Sequence, residues 1–149
     1  MSLGRYLVAV SDPLAHALLA AAVAAPLGSA AVRTAVVAGT LIDVDHAVAA
    51  RSLRLEPMLS LPARPRTHAI AVAVALGAAG VAVGGPRHGW AAFAGLTSHL
   101  LRDASDDQAP TPILWPVGAP RQIGRRVAVA GVAALAVGSW AVSRRAAAS

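Results

Sequence analysis

The sequence predicts an all-α fold: an integral membrane bundle of about five antiparallel helices with a polar His/Asp site at one end. Composition is the first reason. The chain is 56% hydrophobic and only 13% charged, with a mean hydropathy of +0.61. Side-chain size is the second. Aromatic residues make up 3% and alanine about a quarter, too few bulky groups for a dense water-excluding core. Small residues suit helices pressed together in lipid, where backbones approach closely. The third reason is order along the chain: apolar runs alternate with Pro- and Gly-rich breaks, and the unusual polar residues sit at the ends of the runs. At 149 residues the length fits one domain, residues 1–149.

Charge and cysteine content exclude several classes. There is no cysteine, so disulfides and thiolate metal sites are ruled out. The net charge is +6 and all thirteen basic residues are arginine. They occur singly or in pairs with almost no aromatic interleaving, so direct nucleic-acid binding is not expected. Anionic lipid headgroups and membrane topology explain them better. The N-terminus, with Ser11-Asp12-Pro13 soon after Tyr6-Leu7-Val8, does not read as a cleavable signal.

Asp12-Pro13 reads as a helix start, an N-cap followed by proline at the first helical position. An apolar run over residues 14–25 is broken by Pro26-Leu27-Gly28-Ser29, and a second covers residues 30–41. Each is short of the ~20 residues needed to cross a bilayer upright. Residues 51–67, with three prolines and four arginines, read as a loop. A third helix runs from Thr67-His68 to Val83 and stops at Gly84-Gly85-Pro86. A fourth runs from Gly89-Trp90 to Leu101-Arg102-Asp103, and residues 104–122 read as a second loop. A fifth, residues 123–143, is the clearest span, flanked by Arg125-Arg126 and Arg144-Arg145 with Trp140 near an interface.

Helix direction then gathers the polar residues. His16 falls in the first turn of helix one; Asp43, Asp45 and His46 end helix two. His68 starts helix three, and His99 with Asp103 ends helix four. In an up-and-down bundle these places share one end, and His88 falls at the other. His99 and Asp103 are four apart and share a helix face. Asp43 and His46, three apart, do the same, while Asp45 points elsewhere. Asp43, Asp45 and Asp103 sit at expected helix C-termini, where the macrodipole disfavours negative charge by about 0.3–1 kcal/mol each, so a cation should compensate. Imidazole and carboxylate donors without sulfur select zinc, or manganese or iron, over calcium. Seven candidates (His16, Asp43, Asp45, His46, His68, His99, Asp103) exceed the needs of one zinc, so one to three ions are expected. Two ions about 3.5–4 Å apart suit phosphoester hydrolysis. The plainer readings are a buried hydrogen-bonded His16, Asp43 and Asp45 paired with loop arginines, and Asp106 and Asp107 as solvated loop charges. Ser98 and Ser105 read as packing or capping groups.

At these residues the sequence resembles the YdjM-type family of bacterial inner-membrane proteins, described as LexA-binding, metal-dependent hydrolases. The resemblance rests on the early His16, on Leu41-Ile42-Asp43-Val44-Asp45-His46, and on Arg64-Pro65-Arg66-Thr67-His68-Ala69. It continues through Ser98-His99-Leu100-Leu101-Arg102-Asp103 and Leu114-Trp115-Pro116, covering roughly residues 12–118 in order. Ile42 stands where the family has proline and Ala69 where it has serine. More distantly the pattern is similar to the zinc-dependent phospholipase C and nuclease superfamily, which implies hydrolysis of a phosphodiester or phospholipid. Some family members are described as binding a regulatory protein, which implies a possible protein partner.

Loops at the expected site end carry Arg5, Arg51, Arg54, Arg64, Arg66, Arg121, Arg125 and Arg126; the other end carries Arg33, Arg87, Arg144 and Arg145. Eight against four places the site on the cytoplasmic face of a multi-pass inner-membrane protein. The leading expectation is a membrane metallohydrolase acting on a phosphoester, with phospholipid a candidate substrate and a metal-activated water as nucleophile. Asp43, His46, His68, His99 and Asp103 are its main ligands. Asp45 or His16 completes a second site, or Asp45 acts as general base. The competing expectation is a non-catalytic membrane adaptor tied together by the same cluster. A metal transporter is disfavoured, since its ligands would lie at mid-membrane.

Overall fold

Apolar runs rich in alanine and leucine have high helix propensity, and helices are what they form. The computed structural model describes residues 3–106 and 109–148, and no strand occurs among them. In chain order the helices are α1 (Leu3–Ala24), α2 (Ser29–Leu41), α3 (Val44–Ala50), α4 (Leu55–Leu59), α5 (Ile70–Ala104) and α6 (Arg125–Arg145).

Two expected boundaries moved. α1 does not begin at Asp12; it starts at Leu3 and runs through Pro13. A proline removes one N–H from the helix ladder, and the flanking turns continue across the gap. His16 therefore lies mid-helix rather than in a first turn. The second shift is at the Asp-x-Asp-His stretch. α2 ends at Leu41 and α3 starts at Val44, so Asp43 stands between two helices rather than on the last turn of one. Residues 51–67, expected as loop, also contain α4.

The expected break at Gly84-Gly85-Pro86 is present. Gly85 has φ 79°, ψ −175°, an extended left-handed geometry that a side chain resists. There α5 folds back into two arms, residues 70–84 and 86–104. Gly77 lies against Phe93, and Gly80 against Gly89, with space for no side chain larger than hydrogen. Thus α5 holds both of the helices expected over this stretch, and with α1, α2 and α6 they make the five-helix antiparallel bundle. Ile70–Ala104 and Arg125–Arg145 are each long and apolar enough to cross a membrane. Because of the fold at Gly85, the first is two shorter arms lying side by side rather than one continuous rod.

The interior is made of small residues and the outer surface of large ones. Ala20, Ala24, Ala31, Ala35 and Ala91 pack around Leu27; Val23, Ala94 and Leu135 pack with Trp90 and Phe93. Leu14, Leu18, Val37, Val74, Val129, Val137 and Trp140 face outward. That inversion of the water-soluble pattern is the surface a lipid-embedded bundle needs. The closest approach is between α2 and the second arm of α5. A Cβ on Gly39 would stand 2.9 Å from the Gly95 carbonyl and 3.1 Å from Ala20 Cβ.

The connection from α5 to α6 is tied down by backbone bonds. Thr111 and Arg121 exchange two (3.1 and 3.0 Å), Arg64 N–H bonds Pro110 O, Ile70 N–H bonds Ile113 O, and Ile123 N–H bonds Ala104 O. Within it the Trp115–Pro116 peptide is cis. This connection and the segment before α5 therefore close over the same end of the bundle. Asp107 lies outside the described residues.

Candidate metal centre

The end of α2 leaves an unused carbonyl. Asp43 N–H bonds Thr40 O rather than Gly39 O, so Gly39 O is one of the orphan acceptors of a helix C-terminus. The glycine contact brings α2 and α5 close enough for His99 to use it: His99 Nδ1 lies 2.8 Å from Gly39 O. This orients His99 with Nε2 pointing toward Asp43, His68 and Asp103.

Those four residues form a compact donor set. His99 Nε2 lies 3.2 Å from Asp103 Oδ2, 3.5 Å from Asp43 Oδ1 and 3.3 Å from His68 Nε2. His68 Nε2 lies 3.5 Å from Asp103 Oδ2 and 3.7 Å from Asp43 Oδ1. A tetrahedral ion with N and O donors at about 2.0–2.2 Å sets those donors about 3.3–3.6 Å apart. Three of the five separations fall within that range and the other two lie 0.1 Å outside it. His68, His99 and Asp103 are fully buried, while the Asp43 side chain is 29% exposed. The Asp103 carboxylate is buried among cationic and imidazole groups, with His16 and Arg64 at Oδ1 and His68 and His99 at Oδ2, all within 3.2–3.5 Å, and a buried charge needs such compensation. These four residues could hold a metal ion.

Two further groups flank this one. On the first side, His68 Nδ1 lies 3.2 Å from Asp45 Oδ2, which also accepts from the Thr67 hydroxyl. Asp45 Oδ1 lies 3.1 Å from His46 Nδ1. Asp45 thus grips the back of the His68 ring. That is the carboxylate–imidazole arrangement which fixes the tautomer and direction of a metal-binding histidine. His46 Nδ1 lies 3.7 Å from Asp43 Oδ1, so the pair three residues apart does share a side, and Asp45, expected to point elsewhere, is nearer still. On the other side, His16 Nε2 lies 3.2 Å from Asp103 Oδ1 and 3.6 Å from Asp12 Oδ2. Its ring stacks on His99 at 3.7 Å between centroids. Arg102 reaches both Asp12 and His16, and Arg64 bridges Asp106 (2.8 Å) and Asp103 (3.4 Å). Asp106 is therefore paired with Arg64 rather than simply solvated.

Electrostatics is more varied than three carboxylates at helix C-termini. Asp103 is at the C-terminal end of α5, but Asp45 is in the first turn of α3, where the dipole favours negative charge. Burial disfavours a charged His68, yet hydrogen bonds that its ring donates to Asp43 and Asp45 outweigh it and raise its pKa from 6.5 to about 9. Burial likewise opposes ionisation of Asp45, but His46 and His68 more than offset it and hold its carboxyl below the usual range.

The structure gathers all seven residues singled out by the sequence. Asp12, Arg64, Thr67 and Arg102 join them without having been expected. Asp12 carried a signal, since it stands four before His16 just as His99 stands four before Asp103. His88 lies away from the site, bonded to Thr34 Oγ1 at 2.8 Å. Ser98 and Ser105 bond carbonyls of their own helix, to Gly95 O and Arg102 O. The family model described as YdjM inner membrane protein matches residues 12–148. No curated protein and no solved structure matches the chain.

Proposed function

The chain belongs to the YdjM inner membrane protein family, and on that premise we propose that it is a membrane-bound, metal-dependent phosphoester hydrolase. Its centre is built on Asp43, His68, His99 and Asp103. The observation that carries the reading is Asp103: a fully buried carboxylate whose Oδ2 faces the Nε2 atoms of His68 and His99 at 3.5 and 3.2 Å. Zinc suits the donors best, and manganese or iron is compatible. When bound, the ion supplies Lewis-acid chemistry, polarising a phosphoryl oxygen and lowering the pKa of water.

The chain's own residues do the rest. Gly39 and Asp45 hold the His99 and His68 rings in one orientation. The half-exposed Asp43 leaves one side of the centre open. Asp45 Oδ1 and His46, 3.1 Å apart, are the proton acceptors at that side, and the Arg64 guanidinium offers positive charge to a phosphoryl group. The arginine asymmetry supports a multi-pass topology with the site at the cytoplasmic face, where phospholipid headgroups are a substrate within reach. A reporter fused after Ser149 then reads as non-cytoplasmic; a cytoplasmic signal contradicts the orientation.

The test is turnover of a chromogenic phosphodiester and of a short-chain phospholipid by zinc-loaded protein in detergent. Hydrolysis that disappears in Asp103→Ala supports the reading. Full zinc loading without turnover supports a second one, an adaptor for a regulatory protein with a structural ion. That alternative is favoured by one observation: four protein donors saturate a tetrahedral ion, as in structural zinc sites.

A further inference from the structure

We propose that the Arg102 guanidinium holds the second cation position of this centre, so that Asp12 and His16 bind a side chain there rather than a second metal ion. The inference rests on the metal reading of the central group and adds its stoichiometry.

Asp12, His16 and Asp103 present donor atoms within 4.8 Å of one another. Asp103 belongs to both groups: Oδ2 faces His68 and His99, and Oδ1 faces His16. On donor chemistry alone this is a place for a second ion, bridged to the first through one carboxylate. A cation is already there. Arg102 NH1 lies 2.9 Å from His16 Nε2 and is hydrogen-bonded to Asp12 Oδ1.

The chemistry of the donors decides between the two occupants. A guanidinium has only donors, no acceptor, and keeps its proton in proteins. The 2.9 Å contact is a hydrogen bond when His16 Nε2 accepts, with its one lone pair directed at Arg102 instead of an N–H directed at Asp103. A metal ion needs that same lone pair. It would also bring two positive charges up against a permanent third. The central group differs on this point. His68 and His99 turn Nε2 toward carboxylates and toward each other, and the Arg64 guanidinium reaches Asp103 at its other oxygen, at 3.4 Å.

The other flanking group does not supply a second position either. The back nitrogen of His68, Nδ1, is held by Asp45, and an ion there would need one imidazole to serve two metals. Arg102 has a third of its side chain exposed, so its remaining N–H groups face outward. They form a planar fork that matches a phosphate. One ion and one guanidinium, linked through His16 and Asp103, would share the charge that a two-ion centre places on two metals.

The experiment is zinc content per chain after loading and desalting, in detergent-purified protein. The expected values are one in the parent protein, one in His16→Ala, two in Arg102→Gln, and one again in the combined variant. An Arg102→Gln protein that gains no ion overturns the inference while leaving the central site intact. So does a parent protein with two ions that loses one in His16→Ala. If Arg102→Gln does not fold, His16→Ala decides alone: an unchanged count supports the inference and a lost ion overturns it. A parent protein with no zinc overturns the metal centre itself, and this inference with it.

Discussion

The two ends of the helix bundle are built from the same small residues and end up chemically opposite. At one end His16, His46, His68 and His99 meet Asp12, Asp43, Asp45, Asp103 and Asp106. At the other, His88 has one hydrogen bond to Thr34. The difference lies in how the helices are joined. The far end closes with tight turns at Gly28 (φ 94°) and Gly85 (φ 79°), which satisfy the backbone locally and call for no polar side chain. The site end is joined by the long connections 42–69 and 105–124, and its helix ends leave groups such as Gly39 O to be satisfied by side chains. Polar chemistry collects where the backbone is least self-sufficient.

Removing a donor breaks the comparison most severely. His99→Ala should abolish stoichiometric zinc binding, whereas His88→Ala should keep the zinc content of the parent protein; equal losses in both would mean the two ends do not differ as described. Next comes the residue behind the ring. Asp45→Asn should lower zinc affinity by about 10–100-fold without changing the stoichiometry, read by chelator competition. An unchanged affinity would remove Asp45 from its orienting role.

Acidity gives a graded effect. Without metal, His68 keeps its proton up to about pH 9, and zinc must displace it. Zinc affinity should therefore fall as pH drops below that value, by about tenfold per unit for each proton displaced. A flat profile between pH 6 and 9 would contradict it. The smallest effects are on packing. Gly95→Ala presses a methyl into α2 and should cost about 1–3 kcal/mol, lowering zinc affinity as His99 shifts. Gly85→Ala meets no atom within 4 Å but must keep a positive φ, costing about 1–2 kcal/mol, and should leave zinc binding alone. Denaturation and zinc titration of both variants separate the two ends.

Much of this was legible in the sequence, and the reason is simple. Helix polarity is fixed by chain direction, so knowing that His68, His99 and Asp103 lie near particular helix ends was enough to place them together; His16 reaches the same end from the middle of an α1 longer than expected. What could not be read was local geometry. The break after Leu41 turned Asp43 toward His68 and gave Asp45 to the back of the same ring. Pro13 read as a helix start because proline is favoured there, yet it sits inside α1. Arg102 was invisible for another reason. A single arginine in an apolar helix gives no sign of its partner until Asp12, ninety residues earlier, is brought beside it.

The central claim is that Asp43, His68, His99 and Asp103 share one ion. X-ray absorption at the zinc edge, on zinc-loaded protein in detergent, tests it most directly. The account predicts a four-coordinate shell of nitrogen and oxygen at about 2.0–2.2 Å, with outer scattering from imidazole rings that weakens in His68→Ala and in His99→Ala. A shell without imidazole scattering, or one unchanged in both variants, would contradict it.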